Sequence, residues 1–145
     1  MQVKIKKLCE NAILPKYATE FSAGADLCAC LEGDVEILPG ATVLIRTGLA
    51  LEIPKGYAGM IFARSGLASK RGLAPANKVG VVDADYRGEV MVALHNHSNV
   101  PAEIAGGERV AQLCILPVVQ GEFILSETLD ETERGEGGFG STGKK

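Results

Sequence analysis

The sequence has no tryptophan, no basic surplus and no long apolar run. Its 145 residues carry 15 Lys and Arg against 18 Asp and Glu, a net charge of −3. This balance argues against a protein that holds nucleic acid by neutralising phosphates, so we expect no nucleic-acid partner. Lysines interrupt the N-terminus, and no apolar run approaches the ~18 residues of a membrane span. We therefore expect no signal peptide, no membrane segment and a cytoplasmic location.

The cysteines also lack the C-x-x-C spacing of many redox and metal motifs. They are Cys9, Cys28, Cys30 and Cys114. In a reducing compartment we expect small buried apolar side chains without disulfides. Cys28 and Cys30 would share one strand face, and His95 and His97 would share another, so a zinc site built from both pairs is conceivable. Each pair lies inside a strand-like alternation without a framing loop, which favours a structural role.

Short stretches in which apolar and polar residues alternate recur along the whole chain. Turn sequences such as Pro39-Gly40 and Gly106-Gly107 separate them. Many short strands in a chain of this length predict a single all-β domain, a sandwich, jelly roll or barrel. A short helix is expected at 65–71, whereas 127–134 has helix-forming residues but no apolar stripe. The predicted strands are 3–8, 25–31, 35–38, 41–53, 57–63, 80–83, 89–97, 100–104, 109–119 and 123–125.

The C-terminal residues 130–145 differ in composition from the rest, being first acidic and then rich in glycine. Such a segment cannot bury enough apolar surface to order itself. The chain therefore divides into a β domain at 1–129 and a flexible arm at 130–145.

Part of the arm resembles a phosphate-binding loop without completing the motif. Gly138, Gly143 and Lys144 fit G-x-x-x-x-G-K, but Lys145 stands where that motif needs Ser or Thr, and no strand precedes it. Glycine amides can nevertheless converge on an anion. A phenylalanine at 139 can stack on a flat ring, which favours a ligand lid over a plain linker.

Four further segments place polar groups where chemistry could occur. The segment 80–90 predicts a strand, a tight turn and a strand, and it carries Asp83 and Asp85 beside Tyr86. These aspartates could be a metal pair, a base with its partner, or ordinary turn residues. Arg64 and the residues after it open a short turn that could hold an anion. Polar residues also stand within apolar strands at positions 26 and 112.

Taken together and in order, five motifs resemble those of the trimeric dUTPases. They are AGADL at 23–27, ARSG at 63–66, GVVDADYRG at 80–88, GERVAQL at 107–113 and RGEGGFGSTG at 134–143. The resemblance implies a jelly-roll-like β barrel that forms homotrimers with shared active sites, the arm closing over a neighbour's pocket. It also implies conversion of dUTP to dUMP and pyrophosphate with Mg²⁺, which limits uracil incorporation into DNA and supplies dUMP for dTMP synthesis.

The same resemblance assigns roles to individual residues. Asp83 would be the general base, Gln112 would help to position the attacking water, and Asp26 would contact Mg²⁺ through water. Tyr86 would pack beneath the deoxyribose, and Phe139 would stack on uracil. The residues expected around the uracil are Asn77, Gly80, Val81, Val82 and Met91. The residues expected at the phosphates are Arg64, Ser65, Gly66, Arg134, Gly140, Ser141 and Thr142. The alternatives are a dCTP deaminase and a non-catalytic nucleotide-binding β module.

Overall fold

The alternating segments form antiparallel strands in a computed structural model that describes residues 1–138. Along β9, for example, Val90, Val92 and Leu94 are buried while the intervening residues are more exposed, as the period of a strand requires. Within residues 1–138 there are eleven strands and one helix, α1 (Ser65–Arg71). The strands are β1 (Lys4–Lys7), β2 (Lys16–Tyr17), β3 (Ala25–Cys28), β4 (Val35–Ile37), β5 (Thr42–Glu52), β6 (Tyr57–Phe62), β7 (Leu73–Pro75), β8 (Gly80–Val82), β9 (Glu89–Asn96), β10 (Ala102–Ile104) and β11 (Arg109–Pro117).

Two antiparallel sheets enclose one hydrophobic core. One sheet has the order β1-β5-β9-β7, the other has the order β2-β3-β11-β6-β8, and β4 pairs with β10. Leu27 of β3, Ile45 of β5 and Leu94 of β9 are fully buried members of the same core. The chain is thus mostly β, as its periodicity predicts, and of the candidate functional residues that lie on strands all but Met91 belong to the second sheet.

The helix α1 forms where the sequence predicts it and ends at a glycine. The Ala68 amide donates to the Arg64 carbonyl at its start. At its end, Gly72 adopts a left-handed φ of 66°, which glycine tolerates without steric cost. Leu67 anchors the helix in the core, and Arg71 binds the Glu108 carboxylate. This short helix therefore places Arg64 and the two residues after it next to the start of β11.

The sequence prediction missed two strands and included one that does not form. Strands β2 and β7 have two and three residues, too few to show a period. The predicted strand at 123–125 does not form, and neither does a helix at 127–134. Phe123 and Leu125 are fully exposed, so this part of the chain lacks the packing that would hold a strand.

The expectation of four free cysteines is also wrong, because Cys9 and Cys30 form a disulfide. The amide of Leu8 donates to the Gly48 carbonyl at 2.8 Å, and the amide of Cys30 donates to the Arg46 carbonyl at 2.8 Å. Both cysteines are therefore held against β5, although 21 residues separate them in sequence. Cys28 and Cys114 are free.

The structure gives no support to a zinc site. Among residues 1–138, no group of three or more His, Cys, Asp or Glu side chains could hold a metal ion. The rings of His95 and His97 do lie together, with their centroids 4.4 Å apart. Within the same residues, no helix has the length and apolar character needed to cross a bilayer.

Candidate active site

A cavity of about 280 Å³ lies at the connection between β8 and β9. Its walls contain all of the residues that the sequence assigns to the base, the sugar and the general base, apart from Phe139. These residues are Asn77, Gly80, Val81, Val82, Asp83, Tyr86 and Met91. Glu89 and the apolar Leu44 and Ile61 complete the lining together with Val90. Residues that are distant in sequence are thus gathered around one cavity.

The turn between β8 and β9 sets the positions of Asp83 and Tyr86. The Tyr86 amide donates to the Asp83 carbonyl at 3.2 Å, and the Tyr86 hydroxyl donates to the Glu89 carbonyl at 3.2 Å. Tyr86 remains 45% exposed, and its ring can therefore serve as a platform for a ligand. Asp83 is exposed at the cavity, whereas Asp85 does not line it. This difference favours Asp83 as the chemically active carboxylate of the pair.

A second polar cluster joins β3, β11 and the start of α1. Asp26 and Gln112 are paired across β3 and β11. The Arg64 Nε donates to Asp26 Oδ1 at 2.8 Å, and the Gln112 Nε2 donates to the Ala63 carbonyl at 2.8 Å. The structure therefore brings together three of the predicted site residues. Ser65 and Gly66 follow Arg64 and are exposed.

Arg109 belongs to this cluster and was missed by the sequence reasoning. Its guanidinium donates to Asp26 Oδ2 at 3.1 Å, while Arg64 holds the other carboxylate oxygen. The signal was present, because Arg109 lies inside the motif at 107–113, but only the pairing of β3 with β11 reveals its partner. Two arginines against one carboxylate leave an excess positive charge, which suits an anionic ligand.

The buried Cys28 thiol lies close to this cluster without adding a reactive group. Burial raises the pKa of the Cys28 thiol, and the neighbouring Asp26 carboxylate raises it further. A raised pKa keeps the sulfur protonated and poorly nucleophilic. Cys28 therefore acts as a core side chain.

The donor set around Asp26 fits a magnesium ion held through water. Each oxygen of Asp26 already accepts one arginine hydrogen bond. A carboxylate has about four lone-pair sites, so room remains for metal-bound water. A direct cage of protein ligands is absent within residues 1–138. Mg²⁺ keeps several waters and usually binds through few carboxylates together with substrate phosphates, which agrees with this arrangement.

The two clusters lie apart within one chain. Gln112 pairs with Phe62 at the end of β6, whereas Val82, just before Asp83, pairs with Gly59 nearer its beginning. By the same register Asp83 lies level with Ala58 on β6. Ala58 and Phe62 are about four residues apart, which is about 13 Å along the strand. The structure therefore does not bring Asp83 and Gln112 together.

The arm residues are only partly described. Arg134 donates from its Nε to the Gly137 carbonyl at 2.7 Å. The other predicted arm residues, Phe139, Gly140, Ser141 and Thr142, lie outside the described residues.

A cavity lined by strands of both sheets and an arginine-bound carboxylate between β3 and β11 are the features of a β-sheet protein that binds a small anionic ligand. A model of the dUTPase family matches residues 10–143. The deoxyuridine 5'-triphosphate nucleotidohydrolase of Desulfitobacterium hafniense (strain DSM 10664 / DCB-2) is 56% identical over 131 residues, which cover 90% of this chain and 87% of the relative. That of Nautilia profundicola is 54% identical over 144 residues, covering 99% and 100%.

Solved structures of dUTPases are also similar to this chain. The Staphylococcus bacteriophage 80alpha dUTPase with dUPNHPP has a TM-score of 0.89 to this chain, at 29% identity and with 98% of each chain covered. The dUTPase from phage phi11 of S. aureus has a TM-score of 0.82, at 25% identity, covering 91% of this chain and all of the other. The chain belongs to the dUTPase family, which confirms the family expected from the five motifs.

Proposed function

We propose that this dUTP nucleotidohydrolase converts dUTP and water to dUMP and pyrophosphate at sites assembled from more than one copy of the chain. The family match over residues 10–143 favours this reaction over the dCTP deaminase and binding-module alternatives. The separation of Asp83 from Gln112 along β6 carries the proposal of a shared site. Two groups that act on one water must lie within hydrogen-bond reach of it, so a second chain has to supply one of them.

Asp83 is the general base in this mechanism. Its exposed carboxylate can accept a proton from a water molecule at the cavity while that water attacks the α-phosphorus. A bond forms between the water oxygen and the α-phosphorus, and the bond to the bridging oxygen breaks as pyrophosphate leaves. Gln112, held by the Ala63 carbonyl, orients the water and the α-phosphate from the other chain.

The phosphate chain binds at the cluster around Arg64. Arg64 is already oriented by Asp26, and the exposed Ser65 and Gly66 offer a hydroxyl and backbone amides beside it. Asp26 would hold Mg²⁺ through a metal-bound water, and the ion would supply charge neutralisation on the phosphates. Fixed positive charge around transferring phosphoryl groups is usually the largest contribution to catalysis of this kind.

The cavity between β8 and β9 selects the base and the sugar. Gly80 is packed closely against Ile61, where an added Cβ would lie 3.2 Å from the Ile61 Cβ. Backbone groups of Gly80, Val81 and Val82 can therefore approach the uracil edge, with Asn77 and Met91 nearby. A rigid wall of backbone would reject a 5-methyl group more strongly than an apolar pocket, which distinguishes one methylene by about 1–3 kcal/mol. Tyr86 lies beneath the deoxyribose.

The C-terminal residues complete the site in a homotrimer with a jelly-roll-like barrel in each chain. Phe123, Ile124 and Leu125 are all exposed, and a contiguous apolar stretch of this kind is expected to pack on another chain. The arm at 130–145 would then reach a neighbour's cavity, where Arg134, Gly140, Ser141 and Thr142 bind phosphates and Phe139 stacks on uracil.

The arm is tested by a chain shortened after residue 133. This variant should keep the trimeric mass seen by light scattering and lose most of its activity, because the phosphate donors and the stacking ring are removed. Full activity in the shortened chain would contradict the role of the arm.

We place the enzyme in the cytoplasm, since its substrate is a charged nucleotide that does not cross membranes unaided, and we expect the Cys9–Cys30 bond to be reduced in that compartment. There it would limit uracil incorporation into DNA and supply dUMP for dTMP synthesis.

Asp83→Asn tests the general base, and Asp85→Asn is a matched control in the same turn. The first variant should lose most of its kcat while it still binds dUTP, because the amide cannot take the proton. The second should retain its turnover, because Asp85 does not line the cavity. Similar turnover in both variants would contradict the role of Asp83.

A mixing experiment tests the shared site. Asp83→Asn chains and Gln112→Ala chains, each inactive alone, are unfolded together and refolded as a one-to-one mixture. In mixed trimers about a quarter of the sites receive Asp83 from one chain and Gln112 from another. About a quarter of the wild-type activity should therefore return. Activity no higher than the sum of the separate variants would show that each site lies within one chain.

A further inference from the structure

Strand β5 contains an irregularity opposite Val90 and Met91, two residues of β9 that line the cavity. Arg46 pairs with Met91 and Leu49 pairs with Val90, so two residues, Thr47 and Gly48, have no partner residue on β9. The Thr47 hydroxyl donates to the Val90 carbonyl at 2.5 Å. The Gly48 amide donates to Glu89 Oε1 at 2.8 Å. A side-chain carboxylate thus replaces the strand partner that this β-bulge removes.

Glu89 makes further contacts with the bulge. Both of its carboxylate oxygens accept from the Arg46 Nε, at 3.2 Å and 3.0 Å. The Glu89 side chain is 14% exposed, whereas that of Arg46 is 58% exposed. The first residue of β9 is therefore fixed to β5 from two directions, and its carboxylate is largely shielded from water.

On its other side, Glu89 faces the cavity and supports Tyr86. Its carbonyl accepts the hydrogen bond of the Tyr86 hydroxyl, and Glu89 itself lines the cavity. The Tyr86 ring folds back over Gly88, where an added Cβ would lie 2.6 Å from Cζ and 3.0 Å from Cε2 of the ring. The position of the ring thus depends on where the backbone at 88–89 is held.

We propose that Glu89 is a positioning residue that sets the Tyr86 ring and, through it, the preference of the enzyme for deoxyribose over ribose. This inference rests on the proposed packing of Tyr86 beneath the sugar. The carboxylate fixes the Glu89 backbone to the bulge, the Glu89 carbonyl fixes the Tyr86 hydroxyl, and the ring closes the space in which a 2′-hydroxyl would lie.

The test compares kcat/KM for dUTP and UTP in Glu89→Ala, Glu89→Gln and a control, Glu52→Gln. Glu52 is an exposed carboxylate on β5 that pairs with Lys4 and does not line the cavity between β8 and β9. Glu89→Ala should lower the ratio of kcat/KM for dUTP to kcat/KM for UTP by at least about tenfold, mainly through a lower KM for UTP, because the displaced ring no longer excludes the 2′-hydroxyl and a displacement of about 1 Å has effects of this size or larger. Glu89→Gln keeps an acceptor for the Gly48 amide and should restore most of the ratio. The control should leave it unchanged.

A purely structural role for Glu89 would reduce the folded fraction and lower both kcat/KM values equally, leaving their ratio unchanged. That result in Glu89→Ala, measured well below its Tm, would overturn the inference. If Glu89→Ala does not fold, the same comparison is made with Glu89→Gln and Gly88→Ala. The alanine at 88 displaces the ring while the carboxylate stays in place, and it should lower the ratio more than the glutamine does.

A fourth variant, Tyr86→Ala, separates this inference from the proposal on which it rests. An unchanged dUTP to UTP ratio in Tyr86→Ala would overturn the proposed role of Tyr86 and the inference with it. A lowered ratio in Tyr86→Ala together with an unchanged ratio in Glu89→Ala would overturn the inference alone.

Discussion

Replacing Asp26 by Asn should destabilise the protein, because this carboxylate is the bridge between two arginines. Its oxygens accept from Arg64 at 2.8 Å and from Arg109 at 3.1 Å. The Asp26 side chain is 17% exposed, Arg64 is 26% exposed and Arg109 is 56% exposed. The substitution removes the negative charge while it keeps the shape of the side chain. The two guanidinium groups are then left without a neutralising partner.

The magnitude follows from the exposure of each pair. A hydrogen bond to a charged group contributes about 1.5–3 kcal/mol, and the part-buried Arg64 pair is expected to contribute about 2 kcal/mol. The more exposed Arg109 pair is expected to contribute below about 1 kcal/mol. One neutral hydrogen bond to the amide recovers about 1 kcal/mol. The net loss is therefore about 1–2 kcal/mol, which lowers Tm by about 2–8 °C in a chain of this size.

Calorimetry without nucleotide and without Mg²⁺ measures this loss, and Glu52→Gln serves as the control. The Lys4–Glu52 pair is exposed on both sides, so the control should not change Tm measurably. A Tm for Asp26→Asn equal to that of the wild type would refute the reasoning that the carboxylate stabilises the cluster. The same variant should need more Mg²⁺ for half-maximal activity, and an unchanged requirement would contradict the proposed water-mediated contact.

Two further predictions concern close packing near the site and the disulfide. Gly24→Ala should lower kcat by more than about tenfold, because the added Cβ would lie 2.8 Å from the Gln112 Oε1 and displace that side chain. An unchanged kcat in steady-state kinetics would contradict this prediction. Reduction of the Cys9–Cys30 bond should lower Tm, because a loop of this length accounts for about 3 kcal/mol. Cys9→Ser should not respond to the reductant, and an equal Tm for the oxidised and reduced wild type would contradict the prediction.

The long strands could be predicted from the sequence because they bury one face. In β9 the buried residues alternate with more exposed ones over eight positions, which is enough to establish a period. Strands β2 and β7 could not be predicted, because two or three residues are too few to show a period. The apolar stretch at 123–125 alternates too little and contacts too little within residues 1–138 to form a strand.

Local residue order also carried most of the candidate site. The turn after β8 sets Asp83 and Tyr86 by short-range hydrogen bonds, and the run after β6 opens the helix that carries Ser65. Such features depend on neighbours in sequence, so the motifs reveal them directly. The sequence by itself therefore determined the β class and the family, and it predicted most residues of the candidate site.

Only the tertiary structure decided how these parts meet. The second arginine on Asp26, the contact of Glu89 with the β5 bulge and the bond between Cys9 and Cys30 all join residues that are distant in sequence. The separation of Asp83 from Gln112 depends on the register of β8, β6 and β11. Register and long-range pairing arise from the packing of two whole sheets around one core, and no local pattern encodes them.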